Sequence, residues 1–110
     1  MEQQIDLGRY RTEGSRVYAG RPRGEYARKA EDLDRTDSMD NVSIVVRIPE
    51  DTLSVNSSFF LGLFGDSIKH LGEDRFRERF HFTGRPLGRV YESAIREAVT
   101  TASPFSSAVR

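Results

Sequence analysis

The clearest periodic pattern in the chain is helical. Phe60, Leu63, Phe64, Ser67, Ile68 and Leu71 recur at i, i+3, i+4, i+7, i+8 and i+11, one apolar stripe closed off by Gly72. Just before it, Val42-Ser43-Ile44-Val45-Val46-Arg47-Ile48 is rich in β-branched residues and nearly continuous in apolar character. That pattern predicts a strand buried on both faces and ended by Pro49. Leu53 and Val55 lead into Asn56-Ser57-Ser58, where a side-chain oxygen is expected to cap the helix.

The flanking segments are weaker. Ile5 to Tyr10 reads as a short opening strand, Thr12 to Ser15 as a turn, and Arg16 to Gly20 as a second short strand or loop. Pro22 suits a helix start, and Tyr26, Ala27, Ala30 and Leu33 form the expected buried stripe of that helix. Glu25 and Lys29 fall at the favourable i, i+4 spacing on its outer side. Beyond Gly72, Glu73 to Phe80 reads as a short helix and Phe80-His81-Phe82 as a strand. A last helix is expected over about Leu87 to Thr101, with Val90, Tyr91, Ala94, Ile95, Ala98 and Val99 facing inward.

Alternation of strand and helix predicts an α/β fold, with a small sheet covered mainly by helices. A parallel crossover is expected between the Val42–Ile48 strand and the Phe80 strand. Residues 1–102 are read as one domain and 103–110 as a flexible C-terminal tail.

Composition narrows the function. At 110 residues, 36% hydrophobic and 31% charged, the chain has room for one modest core, to which seven Phe and four Tyr must contribute heavily. Seventeen basic residues balance seventeen acidic ones, which argues against a general nucleic-acid binder and permits association, homo-oligomers included. Absence of Cys removes disulfides, thiolate nucleophiles and Cys-based metal sites. Neither a signal peptide nor a membrane-spanning run is visible, so a cytoplasmic, non-membrane protein is the expectation.

Candidate chemistry is sparse. His70 and His81 lack a second ligand at metal-binding spacing and read as surface residues. Gly62-Leu63-Phe64-Gly65 lies inside a helix with no following phosphate-loop lysine, and is open to two readings: tolerated glycines, or close approach of another backbone. Glu31, Asp32, Asp34, Asp37 and Asp40, with Glu50 and Asp51, read as a solvated acidic face. Arg9, Arg11, Arg16, Arg21 and Arg23 make the front end basic. No acid, base, nucleophile and metal set converges, so neither a catalytic residue, nor a cofactor, nor a metal is expected. Ser57 and Ser58 stand out because a phosphate at a helix N-terminus meets free backbone N–H groups and the positive end of the dipole.

The stretch from Asn56 to Phe64, followed by Ser67, Leu71-Gly72-Glu73, Phe76 and Phe80-His81-Phe82, resembles the STAS-like domains of unknown function found in bacteria and phages. Gly8-Arg9-Tyr10-Arg11-Thr12-Glu13-Gly14 is similar to the Gly-Arg-aromatic-Arg stretch near their start, and the likeness extends over roughly residues 8 to 100. It implies an anti-sigma-factor-antagonist-like fold: a small mixed β-sheet with helices packed mainly on one side. Better-known relatives have Asp-Ser-Ser-Gly at this corner with the first serine phosphorylated, which makes Ser57 the phosphorylation candidate. Here Asn56 replaces the acidic residue and Phe59 the glycine. A histidine-kinase-type ATPase is the partner the resemblance implies.

The leading expectation is a regulatory, non-enzymatic protein-interaction domain using Asn56, Ser57, Ser58, Phe59, Gly62 and Asp66, with Phe59 as an exposed anchor beside the apolar stripe. The alternative is a phage or mobile-element inhibitor that blocks a host or defence complex.

Overall fold

A computed structural model describes residues 1–11 and 14–102, without the side chains of Thr101 and Ala102. Thr12 and Glu13 of the expected Thr12–Ser15 turn, and the tail from Ser103, lie outside the described residues.

β1 (Glu2–Asp6) is followed by a 3-10 turn at Leu7–Tyr10, then β2 (Val17–Tyr18), α1 (Arg21–Ala30), α2 (Leu33–Asp37) and β3 (Ser43–Ile48). β4 (Ser54–Val55), α3 (Ser57–Leu71), α4 (Glu73–Arg79), β5 (Phe80–Gly84) and α5 (Arg89–Ala102) complete the order. The opening strand therefore ends earlier than its sequence suggests. The Asp6 carboxylate accepts the Gly8 N–H at 2.9 Å and caps a turn that carries the chain out of the sheet.

Every strand pairing is parallel, so the expected mixed sheet is corrected. β3 lies between β1 and β5 in a three-stranded sheet, and β2 pairs with β4 in a separate two-stranded ladder. The crossover from β3 to β5 is parallel as expected. Burial along β3 corrects a second expectation. Ile44, Val46 and Ile48 are buried, Ser43 and Val45 only half-buried and Arg47 exposed, so the strand is covered on one face. On the other face Arg47 pairs with Asp6 of β1 at 3.3 Å.

Helices fill the covered side. The inner residues of β3 and β5 meet a run of aromatic rings: Phe76 stacks on Phe80 at 4.5 Å, and Phe64 lies edge-on to Phe80 and Phe82 at 5.5 Å each. Offset and edge-to-face contacts of this kind add to the burial itself. α3 runs through the middle, packed against α1, α5, α2 and α4. Its expected stripe is buried throughout, and so are Phe59, Leu61, Gly62 and Gly65. A helix apolar on nearly all sides belongs in the interior.

α1 departs from its expected phase. Tyr26 is 66% exposed and Ala30 is also outside, whereas Gly24, Ala27 and Arg28 face the core. The reason is the neighbour. Gly24 and Gly62 let the two backbones touch: an added Cβ on Gly24 would lie 2.9 Å from the Leu63 nitrogen, and one on Gly62 3.1 Å from the Glu25 nitrogen. Of the two readings of Gly62, close approach is the one found. Leu33 is buried, but in α2, after Asp32 breaks the helix in a left-handed conformation at φ 56°.

One turn beyond Gly24, the Arg28 guanidinium is inside. It donates to the Leu63 carbonyl at 3.0 Å and the Ser67 hydroxyl at 2.9 Å, and pairs with Asp37 at 2.6 Å. Ser67 in turn donates to Asp37 at 2.7 Å. The network ties α1, α2 and α3 together with its buried charges paired and hydrogen-bonded, as burial of charge requires.

Tyr10 anchors the front end through its hydroxyl, which donates to the Glu31 carboxylate. Burial, then that hydrogen bond, pushes its pKa from 10.0 up to about 12. A raised folded-state value means stability held below pH 10 and lost as pH climbs through 10 towards 12. Tyr10→Phe should flatten part of that alkaline loss, which urea denaturation on either side of pH 10 measures; an unchanged slope would contradict the assignment.

Candidate functional site

The candidate corner is built where β4 turns into α3. β4 pairs with β2 through Val17–Ser54 and Tyr18–Val55, and the Asn56 N–H donates to the Tyr18 carbonyl at 2.8 Å. Asn56 stays extended at φ −73° and ψ 151°, and its carbonyl accepts the Phe60 N–H at 3.0 Å. Its side chain makes no capping bond, contrary to expectation. First-turn N–H groups of a helix have no intrahelical partner, so the N–H groups of Ser57, Ser58 and Phe59 face outward from the helix end.

Asn56 and Ser58 are exposed and Ser57 half-buried. Phe59 is 0% exposed, its ring 5.4 Å from Tyr18. The expectation of an exposed aromatic anchor is thus overturned. Helical phase separates two faces only when one of them meets solvent, and α3 has α1 on the side opposite the sheet. Gly62 is also inside, pressed on Arg21 and Glu25 of α1. Neither residue belongs to a contact surface.

Asp66 is exposed but lies about 12 Å along the helix from Ser58, two turns away. It stands 4.0 Å from Arg28 rather than at the corner. Asn56, Ser57 and Ser58 are the three expected contact residues that the fold brings together at the surface.

The electrostatics around them are lopsided. Packing of Gly24 against Phe59 and Gly62, and of Arg28 against Leu63 and Ser67, makes α1 and α3 run in the same direction. Their N-termini point to the same end of the molecule. Neither first turn has an acidic residue, and that of α1 contains Arg21 and Arg23. Two positive helix ends with no carboxylate in either first turn favour negative charge, while Arg21 itself shares a surface pocket with Asp66 and Glu97.

Elsewhere, His70 and His81 are exposed, in keeping with their reading as surface residues. The acidic cluster is not simply solvated. Asp37 is buried on Arg28, Asp34 also pairs with Arg28 at 2.8 Å, Asp32 pairs with Arg35 at 3.0 Å and Asp51 with Arg11 at 3.0 Å. Sequence reasoning missed the Arg28–Asp37–Ser67 network. The one signal for it was a serine inside an otherwise apolar stripe. Among the described residues no group of three or more His, Asp or Glu side chains is placed to hold a metal, and no helix is long and apolar enough to cross a membrane.

Comparison with family models, curated proteins and solved structures returns no match.

Burial of Phe59 makes a direct prediction. Phe59→Ala should destabilise the fold by about 3–5 kcal/mol, the usual cost of emptying an aromatic site in a core. Chemical denaturation measures this; wild-type stability would place the ring outside after all.

Proposed function

We propose that this chain is a non-enzymatic regulatory domain that meets a protein partner at the Asn56–Ser58 corner, with Ser57 as the position where phosphate would switch the contact. The observation that carries this reading is the corner itself: three small polar residues at the end of a 15-residue helix, beside a second helix N-terminus, with no carboxylate in either first turn. A phosphate on Ser57 would enter the field of both helix ends and meet free backbone donors, so it would be stable there. It would also reverse the charge presented to a partner. The STAS-like resemblance points to the same serine and to a kinase-type ATPase as the partner. Asn56 in place of an acidic residue leaves the corner without its own negative charge, which increases the contrast between the two states.

Burial of Phe59 changes how contact would be made. The polar rim and the backbone donors supply recognition, and Phe59 supports the corner from below. Ser57→Asp would imitate part of the added charge without touching the core.

The test begins with affinity purification from the native host, with intact-mass measurement of the recovered chain. Affinity for the recovered partner should shift about tenfold or more in Ser57→Asp, equivalent to about 1.4 kcal/mol, and stay near wild type in Ser57→Ala. Unchanged affinity in Ser57→Asp and in a bulky Ser58→Arg would remove the corner from the interface.

A further inference from the structure

A second surface lies on the other side of the α5 N-terminus, and none of the corner residues lines it. β5 is the last strand of the β1-β3-β5 sheet, paired with β3 and open on its other side among the described residues. Along that open edge runs a groove of about 510 Å³, lined by Phe80, His81, Phe82 and Gly84 of the strand. The loop from Arg85 to Gly88 and Tyr91 of α5 complete it. The volume is within the range of clefts that hold ligands.

Its floor is apolar. Phe82 and Leu87 are half-buried, and the half-buried Tyr91 ring lies 5.3 Å from Phe82. Among the six described phenylalanines, Phe82 alone is not buried. At the far end Gly84, at φ 88°, turns the chain out of the strand, and the Arg85 N–H donates to the Ile48 carbonyl at 3.0 Å. That bond fixes the loop that holds the Arg85 side chain at the groove's rim.

Its charge is one-sided. Arg85 and His81 line it and no Asp or Glu does. Arg85 is exposed and makes no ion pair among the described residues. The nearest acid on α5, Glu92, is taken by Arg77 at 2.8 Å. Arg89 opens α5, so the helix's positive end adds to the same sign. The opposite sheet edge is different: β1 carries Glu2 and Asp6.

We propose that this groove binds an extended acidic segment of a protein partner, which adds as a fourth strand on the free edge of β5. Main-chain hydrogen bonds to β5 supply affinity, as in β-strand addition generally. Alternate residues of the segment face the same side. One apolar side chain packs on Phe82, Leu87 and Tyr91, and a carboxylate two positions on meets Arg85. An acidic strand meets an unpaired cation at the β5 edge, whereas the β1 edge offers Glu2 and an Asp6 already paired with Arg47. This commits to a foreign strand rather than to a second copy: β5 itself contains no Asp or Glu, so a β5–β5 pairing would bring no carboxylate to Arg85, and β1 of one copy adding to β5 of the next would propagate without closing.

The test uses acetylated, amidated hexapeptides that alternate Thr with Val, Leu or Phe and end in Glu or Lys, titrated into the isotope-labelled full chain. Glu-ending peptides should shift and protect backbone amides of β5 and of Arg85–Gly88. Lys-ending ones should bind about tenfold more weakly, the scale of one charge-assisted contact. Arg85→Glu should reverse that preference, and N-methylation of alternate peptide bonds should abolish binding. The exposed Arg85 allows this swap without disturbing the core. The proposal is overturned if no peptide of the set perturbs β5, if shifts fall only on Asn56–Ser58, if Arg85→Glu keeps the wild-type preference, or if the chain itself associates through β5 in sedimentation. Shifts at β5 with an unchanged corner, and the reverse, separate this site from the one at Ser57.

Discussion

The contact on which the other parts rest is the approach of α1 to α3 at Gly24 and Gly62. Two helices normally lie 8–10 Å apart, held off by their side chains. Here neither residue has one, and each Cα faces the backbone of the other helix. The close crossing fixes which side of α1 is inside. It brings Arg28, one turn on, within reach of the Leu63 carbonyl, Ser67 and Asp37, so that α2 is captured as well. A wider crossing would leave the guanidinium and the Asp37 carboxylate apart in a low-dielectric interior, where an unpaired charge is costly.

The same crossing decides what the corner offers. With α1 against one side of α3 and the sheet and α5 against the others, Phe59 has nowhere to go but inward, onto Tyr18. What remains outside is Asn56, Ser57 and Ser58, held from behind by the β2–β4 ladder and from below by the buried ring. A rigid polar corner on packed elements suits recognition better than a flexible loop, since little order is lost on binding. The parallel direction of α1 and α3, set by that packing, points their two positive ends the same way, with the first residue of α1 against Gly62, more than a turn along α3.

Much of the fold was legible in the sequence because the signals were local. The β-branched run of β3, the stripe of α3 with Gly72 behind it, Pro22 at the start of α1 and the inward face of α5 each depend on residues close together in the chain. What failed depended on neighbours. Tyr26 and Ala30 fit an apolar stripe on paper, but α1 turns its glycine edge to α3. Val45 belongs to an apolar run, yet among the described residues no layer of helices covers that side of the sheet, and Val45 is only half-buried. Phe59 falls outside the stripe because periodicity assumes a single buried face, and α3 has several. Asp37 reads as part of a solvated acidic face and Arg28 carries no signal of its own, since nothing in their spacing reveals the serine that joins them across 30 or more residues. Of the site, Ser57 and its neighbours were legible as a corner; the absence of a side-chain cap and the second helix end beside them were not.

The most direct test of this account compares alanine at three glycines of the two helices by chemical denaturation. An added methyl at Gly65 meets only the Leu61 side chain at 3.7 Å, so Gly65→Ala should be neutral or stabilise by up to about 1 kcal/mol through helix propensity. Gly24→Ala and Gly62→Ala force a Cβ into opposing backbone and should each destabilise by about 1–3 kcal/mol. If all three were stabilising alike, α1 and α3 would not touch at these glycines, and the account built on that contact would be contradicted.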